Sequence, residues 1–184
     1  MTALRRLARG LGLASVWLNR ISLAVAALAV VVMLAAAGWQ IIARYLLAQP
    51  PIWTEELSRY SMVWGGLMGA SCAYFLKRDP TLFPEALAVR GARGRILALI
   101  RAGGVLLLAL AAIWCSLFGP GMNFARGYLA RLAGRQAETM DIPMLVFGVA
   151  IPVAFSIIVI HVMADLGRAF FDDPAPDENG GSLQ

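Results

Sequence analysis

Charge is scarce in this sequence. Only 15% of its residues are Asp, Glu, Lys or Arg, where soluble domains average roughly a quarter. With 60% hydrophobic residues and a mean hydropathy of +0.71, that shortage excludes an ordinary water-soluble domain. Histidine is reduced to His161 alone and cysteine to Cys72 and Cys115. A lone histidine with no neighbouring Cys or second His cannot assemble a metal site, and His161 is expected to be a packed or interfacial side chain. The cysteines fall in separate apolar tracts, where a disulfide is not expected and a thiolate would be costly, so both read as small apolar packers. No Gly-x-Ser-x-Gly elbow, phosphate loop or Gly-x-Gly-x-x-Gly fingerprint occurs. An enzyme therefore has little material here, and no catalytic, cofactor-binding or metal-ligating residue is expected.

What the sequence does have is long apolar runs: Ile21 to Ala43, Tyr60 to Leu76, Ala102 to Phe118 and Ile142 to Ala164. Each meets or approaches the ~20 residues that cross a hydrocarbon core of ~30 Å. The expected fold class is an all-α integral membrane protein with four transmembrane helices, at about 18–47, 55–76, 96–118 and 141–165. A cleaved signal peptide is the rival for the first run, since Arg5, Arg6 and Arg9 precede it and Ala35-Ala36-Ala37-Gly38 is a small-residue stretch. Its apolar core, however, exceeds the ~7 to 15 residues of a signal sequence, and three further runs follow. Residues 1–20 form a basic N-terminal segment, 21–168 the four-span domain, and 169–184 an acidic, Pro- and Gly-rich tail expected to be disordered.

Orientation follows from Lys and Arg. Eleven of the 16 lie up to and including Arg20, from Lys77 to Arg101, or in the tail at Arg168, and five lie on the opposite side of the spans. The positive-inside rule then places both termini in the cytoplasm. The net charge of +5 is thereby a topology signal and a contact with anionic lipids, and nucleic-acid binding is not expected. The loop 77–95 mixes Leu82, Phe83, Leu87 and Val89 with a basic cluster, suiting either a short interfacial helix or a solvated loop. In the connection Gly119 to Asp141, Phe124, Tyr128, Leu129 and Leu132 recur at helical spacing, which predicts a surface helix.

The span centres are nearly bare of ionisable groups, which argues against an independent transporter with its own substrate pathway. Pro152 is expected to kink the last helix, because it has no N–H for the Gly148 carbonyl. Gly65, Gly69 and Ala73 fall at four-residue intervals on the second helix, a flat side for close approach of a helix from this chain or another. Trp53 and Trp64 bracket the start of that helix, with Trp53 placed for the aromatic belt. There Thr54 can cap the helix, Glu55 and Glu56 occupy its first turn, and Arg59 is spaced to reach either glutamate. The cluster is either a solvated helix start or one side of a subunit contact.

Two segments resemble a known family. "ARYLLAQPPIWTEELSRYSMVWGGLMGA", with Arg44-Tyr45, Trp53, Glu55-Glu56, Arg59-Tyr60, Trp64 and Gly69, is similar to the signature of the small membrane subunit of tripartite ATP-independent periplasmic (TRAP) transporters. "ETMDIPMLVFGVAIPVAFSIIVIH", with Asp141-Ile142-Pro143-Met144 and Ile151-Pro152, resembles that family's last span. The resemblance covers roughly Arg20 to Arg168. It implies a non-catalytic subunit of a bacterial inner membrane, bracing a large transport subunit. That subunit takes an organic acid from a periplasmic solute-binding protein and moves it with a sodium gradient. Sodium coupling then belongs to the large subunit, and no cofactor is expected in this chain. The residues it marks for subunit contact are Arg44, Trp53, Glu55, Glu56, Arg59, Trp64, Gly65 and Gly69. The alternatives are an independent small transporter and a membrane adaptor of an unrelated complex.

Overall fold

The computed structural model describes residues 2–77 and 91–171. Helix α1 runs Thr2–Tyr45, α2 Trp53–Phe75, α3 Gly91–Leu117, α4 Tyr128–Ala133, α5 Leu145–Gly148 and α6 Ala150–Phe171, with a 3-10 turn at Phe124–Arg126. Among the described residues no strand forms; the only β pairings are the isolated bridges Gly119–Asn123 and Gln136–Pro143. The expectations for the loop 77–95 and the tail fall, over 78–90 and 172–184, outside the described residues.

Helix α1 starts well before residue 18. No proline lies between Thr2 and Arg20, so nothing stops the helix from continuing through the basic segment. Its 44 residues extend about 66 Å at 1.5 Å per residue, roughly twice a hydrocarbon core.

Among the described residues, three segments are long and apolar enough to cross a membrane: Arg6–Tyr45, Ile96–Leu117 and Leu145–Phe170. Helix α2, at 23 residues, has the length, but Glu55, Glu56 and above all Arg59 at its start, with Ser and Gly along the rest, lower its hydropathy and leave it outside that set. Length and composition thus mark three spans where the apolar runs predict four.

Helix α6 packs against α1, α2 and α3, and α1 packs against α2. Ala26, Met68, Ala154 and Ile157 form the core shared by α1, α2 and α6. Tyr74, Ala102 and Val162 join α2, α3 and α6 in a second cluster. The buried positions are rich in alanine, including Ala43, Ala109, Ala150 and Ala164, while Leu28, Leu34, Leu107 and Leu108 face outward. A water-soluble core shows the reverse. In lipid, burying Leu gains little because acyl chains are equally apolar, whereas small residues let backbones approach.

Helices α5 and α6 are one helix interrupted at Val149, which itself keeps helical dihedrals of φ −63° and ψ −22°. The missing rung belongs to Pro152, whose nitrogen cannot donate to the Gly148 carbonyl in that turn. On the connection before it, the predicted surface helix is confined to six residues, Tyr128–Ala133. Phe124 sits instead in the preceding 3-10 turn, edge-on to Phe118 at 6.1 Å. Gly127 separates the two because its backbone lies directly against the Leu117 carbonyl, where a Cβ would overlap the oxygen.

Candidate functional site

At its start, α2 turns different residues toward different neighbours, and Glu56 is the most enclosed charge there, only 7% exposed. Opposite it the chain reverses between Gly134 and Met144: the Ala137 N–H donates to the Ile142 carbonyl (2.9 Å) and the Met144 N–H to that of Arg135 (3.0 Å). The tip of this reversal points two backbone donors at the carboxylate. The Glu138 N–H donates to Oε1 at 2.9 Å and the Thr139 N–H to Oε2 at 2.8 Å. The Thr139 hydroxyl donates to Oε2 as well, and the Tyr60 hydroxyl donates to Oε1 at 3.0 Å. Four donors match the acceptor capacity of an ionised carboxylate. Glu56 precedes the apolar run that begins at Tyr60.

Tyr60 and Trp64 continue the same face, since residues four apart stack along a helix. The Tyr60 ring lies flat on Phe147 of α5, with centroids 3.9 Å apart and planes 7° from parallel. The Trp64 indole N–H donates to the Val146 carbonyl at 3.2 Å. Glu56, Tyr60 and Trp64 therefore fasten α2 to the segment 138–147 at three successive levels. Gly148 closes the joint from the other side, where a Cβ would collide with Leu132 of α4.

A second face is open. Arg59 pairs with Glu55 at 3.3 Å, and their side chains are 63% and 69% exposed. The same side continues through Met62, 61% exposed, to Gly66 and Gly69, neither of which has an atom within 4 Å of where a Cβ would stand. Gly65 belongs to a third face: its Cβ position lies 3.6 Å from Ala29 and Val30 of α1. The small-residue row is thus split, Gly65 meeting α1 and Gly69 meeting nothing among the described residues.

The residues singled out from sequence are accordingly not one cluster. Glu56 and Trp64 bind the 138–147 segment, Glu55 and Arg59 lie on the open face, Gly65 is an internal contact, and Arg44 and Trp53 are exposed. Arg59 bonds Glu55 and not Glu56, whose oxygens are already taken. Thr54 does not cap the helix. Because the helix starts at Trp53, Thr54 is already inside the first turn, and its hydroxyl donates to the Pro51 carbonyl at 2.8 Å. Sequence reasoning missed Thr139, Tyr60 and Phe147 as partners. The spacing of Glu56, Tyr60 and Trp64 was the available signal, while the pairing across more than 80 residues had none.

These features define a helical membrane protein with internal fastenings and an unpartnered helix face, and no group of three or more His, Cys, Asp or Glu among the described residues could hold a metal. The family model "Tripartite ATP-independent periplasmic transporters, DctQ component" matches residues 33–172. The chain belongs to this family of TRAP transporter components. A comparison with curated proteins finds no match.

Proposed function

We propose that this chain is the small permease subunit of a TRAP transporter in a bacterial inner membrane, with α2 as the fourth span and both termini in the cytoplasm. It braces the immobile scaffold of a large transport subunit, which carries an organic acid delivered by a periplasmic binding protein and couples to sodium. The family match over residues 33–172 carries this reading. The open face of α2 supports it. Gly66 and Gly69 leave room for another backbone to approach, and Glu55 with Arg59 supplies exposed charge beside them. The clasp around Glu56 fixes the angle of that face within the small subunit, so the brace is rigid before the partner arrives. The charge asymmetry supports the orientation.

Reconstitution tests the function: no uptake by this chain alone, and sodium-driven uptake once the large subunit and binding protein are added. Uptake by the chain alone would instead make it an independent transporter. Orientation is tested with a membrane-impermeant thiol reagent on intact cells, using single cysteines in a background free of Cys72 and Cys115. Cysteines at Gln49 and Gly134 should label and one at Ala92 should not; the reverse pattern would turn the topology over.

A further inference from the structure

Beneath the apolar core of α1, α2 and α6, each of the three helices carries a buried polar residue. Ala26, Met68 and Ile157 belong to that core; Ser22 lies four residues before Ala26, Ser71 three after Met68, and His161 four after Ile157. Those spacings carry each side chain down its own helix while keeping it on the same inward face. All three are fully enclosed: Ser22 and Ser71 are 0% exposed and His161 is 1% exposed. The Ser22 hydroxyl, the Ser71 hydroxyl and His161 Nε2 nevertheless have no hydrogen-bond partner among the described residues.

Helical serines have an easy local remedy, which is to donate to the carbonyl four residues earlier. Ser58 does so to Thr54 at 2.9 Å, and Ser116 to Ala112 at 2.7 Å. Ser22 and Ser71 do not, and their hydroxyls are left to the interior. His161 is half-satisfied. Its Nδ1 lies 2.7 Å from the Ser15 hydroxyl, and the Phe75 ring covers it at 5.2 Å. Whichever of that pair donates, Nε2 is left either a donor or an acceptor needing its own partner. Buried polar groups without partners are rare and are commonly bridged by ordered water, which makes about three hydrogen bonds.

We propose that Ser22, Ser71 and His161 Nε2 bind ordered water between α1, α2 and α6, forming a hydrated polar layer inside the bundle. The layer extends over the two turns of α1 between Ser15, which holds His161, and Ser22, and is polar glue for the three helices, specifying their register by hydrogen bonds that alanine packing alone does not supply. Neighbouring Asn19 enlarges it: its Oδ1 is likewise buried and unpartnered, and its backbone carbonyl receives the Cys72 thiol at 3.7 Å. This inference does not depend on the transport function.

His161 is the sole histidine, so histidine-specific nitrogen labelling of the full chain in lipid bilayers gives one side-chain signal. Solid-state NMR should show magnetisation passing from water protons to Nε2, with loss of that transfer in a Ser22→Ala, Ser71→Ala double variant while the Nδ1 signal keeps its Ser15-bonded position. Ser71→Ala alone should weaken the transfer. A wild-type Nε2 without water contact would overturn the proposal, the serines then turning back on their own helices. Unchanged transfer in the double variant would overturn it too.

Discussion

Glu55 and Glu56 share a residue type, a helix and a turn, yet one side chain is 69% exposed beside Arg59 while the other residue is 7% exposed with four donors on its carboxylate. A step of one residue rotates a side chain by about 100° around a helix. Here that rotation separates a face that holds this chain together from a face left for something else. The inward row Glu56, Tyr60 and Trp64 is polar or aromatic and fully engaged. The outward row through Glu55, Arg59, Met62, Gly66 and Gly69 meets no other element among the described residues at its glycines. A charged motif at a helix start is therefore two devices, and its members should respond to mutation in opposite ways.

The largest difference is expected between the two glutamates. Glu56→Ala removes the acceptor for two backbone N–H groups and two hydroxyls at once, so the 138–147 segment should separate from α2 and the recovered folded protein should fall to a small fraction of wild type. Glu55→Ala should leave recovery unchanged. Fluorescence-detected size-exclusion of both variants measures this, and equal loss would erase the distinction between the faces.

Glycines sharpen the comparison at a smaller scale. Gly127→Ala places a Cβ against the Leu117 carbonyl, and such overpacking costs about 1 to 3 kcal/mol, which thermal unfolding of the chain alone should register as destabilisation. Gly69→Leu meets open space, so the chain alone should be unaffected or gain up to ~1 kcal/mol of helix propensity. Co-purification with the large subunit should nevertheless drop, because the added side chain fills the surface proposed for the partner's backbone. Unimpaired co-purification would make Gly69 a lipid-facing position.

Much of this was legible in the sequence. The apolar runs located α1, α3 and the α5–α6 helix, and Pro152 marked the turn in which that helix loses a rung. Helix α2 was legible as a helix, but its membrane role rests on a run that the charges at its start, Arg59 above all, and its Ser and Gly residues keep from standing beside the others. The N-terminal limit of α1 was not legible, because hydropathy reports where a helix meets lipid and says nothing of where its hydrogen bonds end. Glu56 was visible as a charge near a helix start. Its binding to Glu138 and Thr139 was not, since that depends on a chain reversal whose local marks, Gly134, Asp141 and Pro143, signal a turn but not which helix it will meet.

The smallest effect is expected at Arg59, and it discriminates most finely. In the chain alone its guanidinium holds Glu55 across one helical turn with both side chains largely in solvent. Such pairs contribute ~0.2 to 1 kcal/mol and weaken with salt. Arg59→Ala should thus leave the small subunit folded, with an unfolding midpoint shifted only slightly and the Glu56 clasp intact. If the open face of α2 lies against the large subunit, the same substitution leaves Glu55 facing that subunit without its cation, and breaking a pair buried by assembly costs ~3 to 5 kcal/mol. A normal isolated chain combined with poor recovery of the complex is therefore the expected outcome. Glu55→Gln together with Arg59→Ala should recover part of the loss, because no carboxylate is then stranded. Full assembly by Arg59→Ala at physiological salt would show that this pair stays in solvent in the complex, and would move the contact to another face of the molecule.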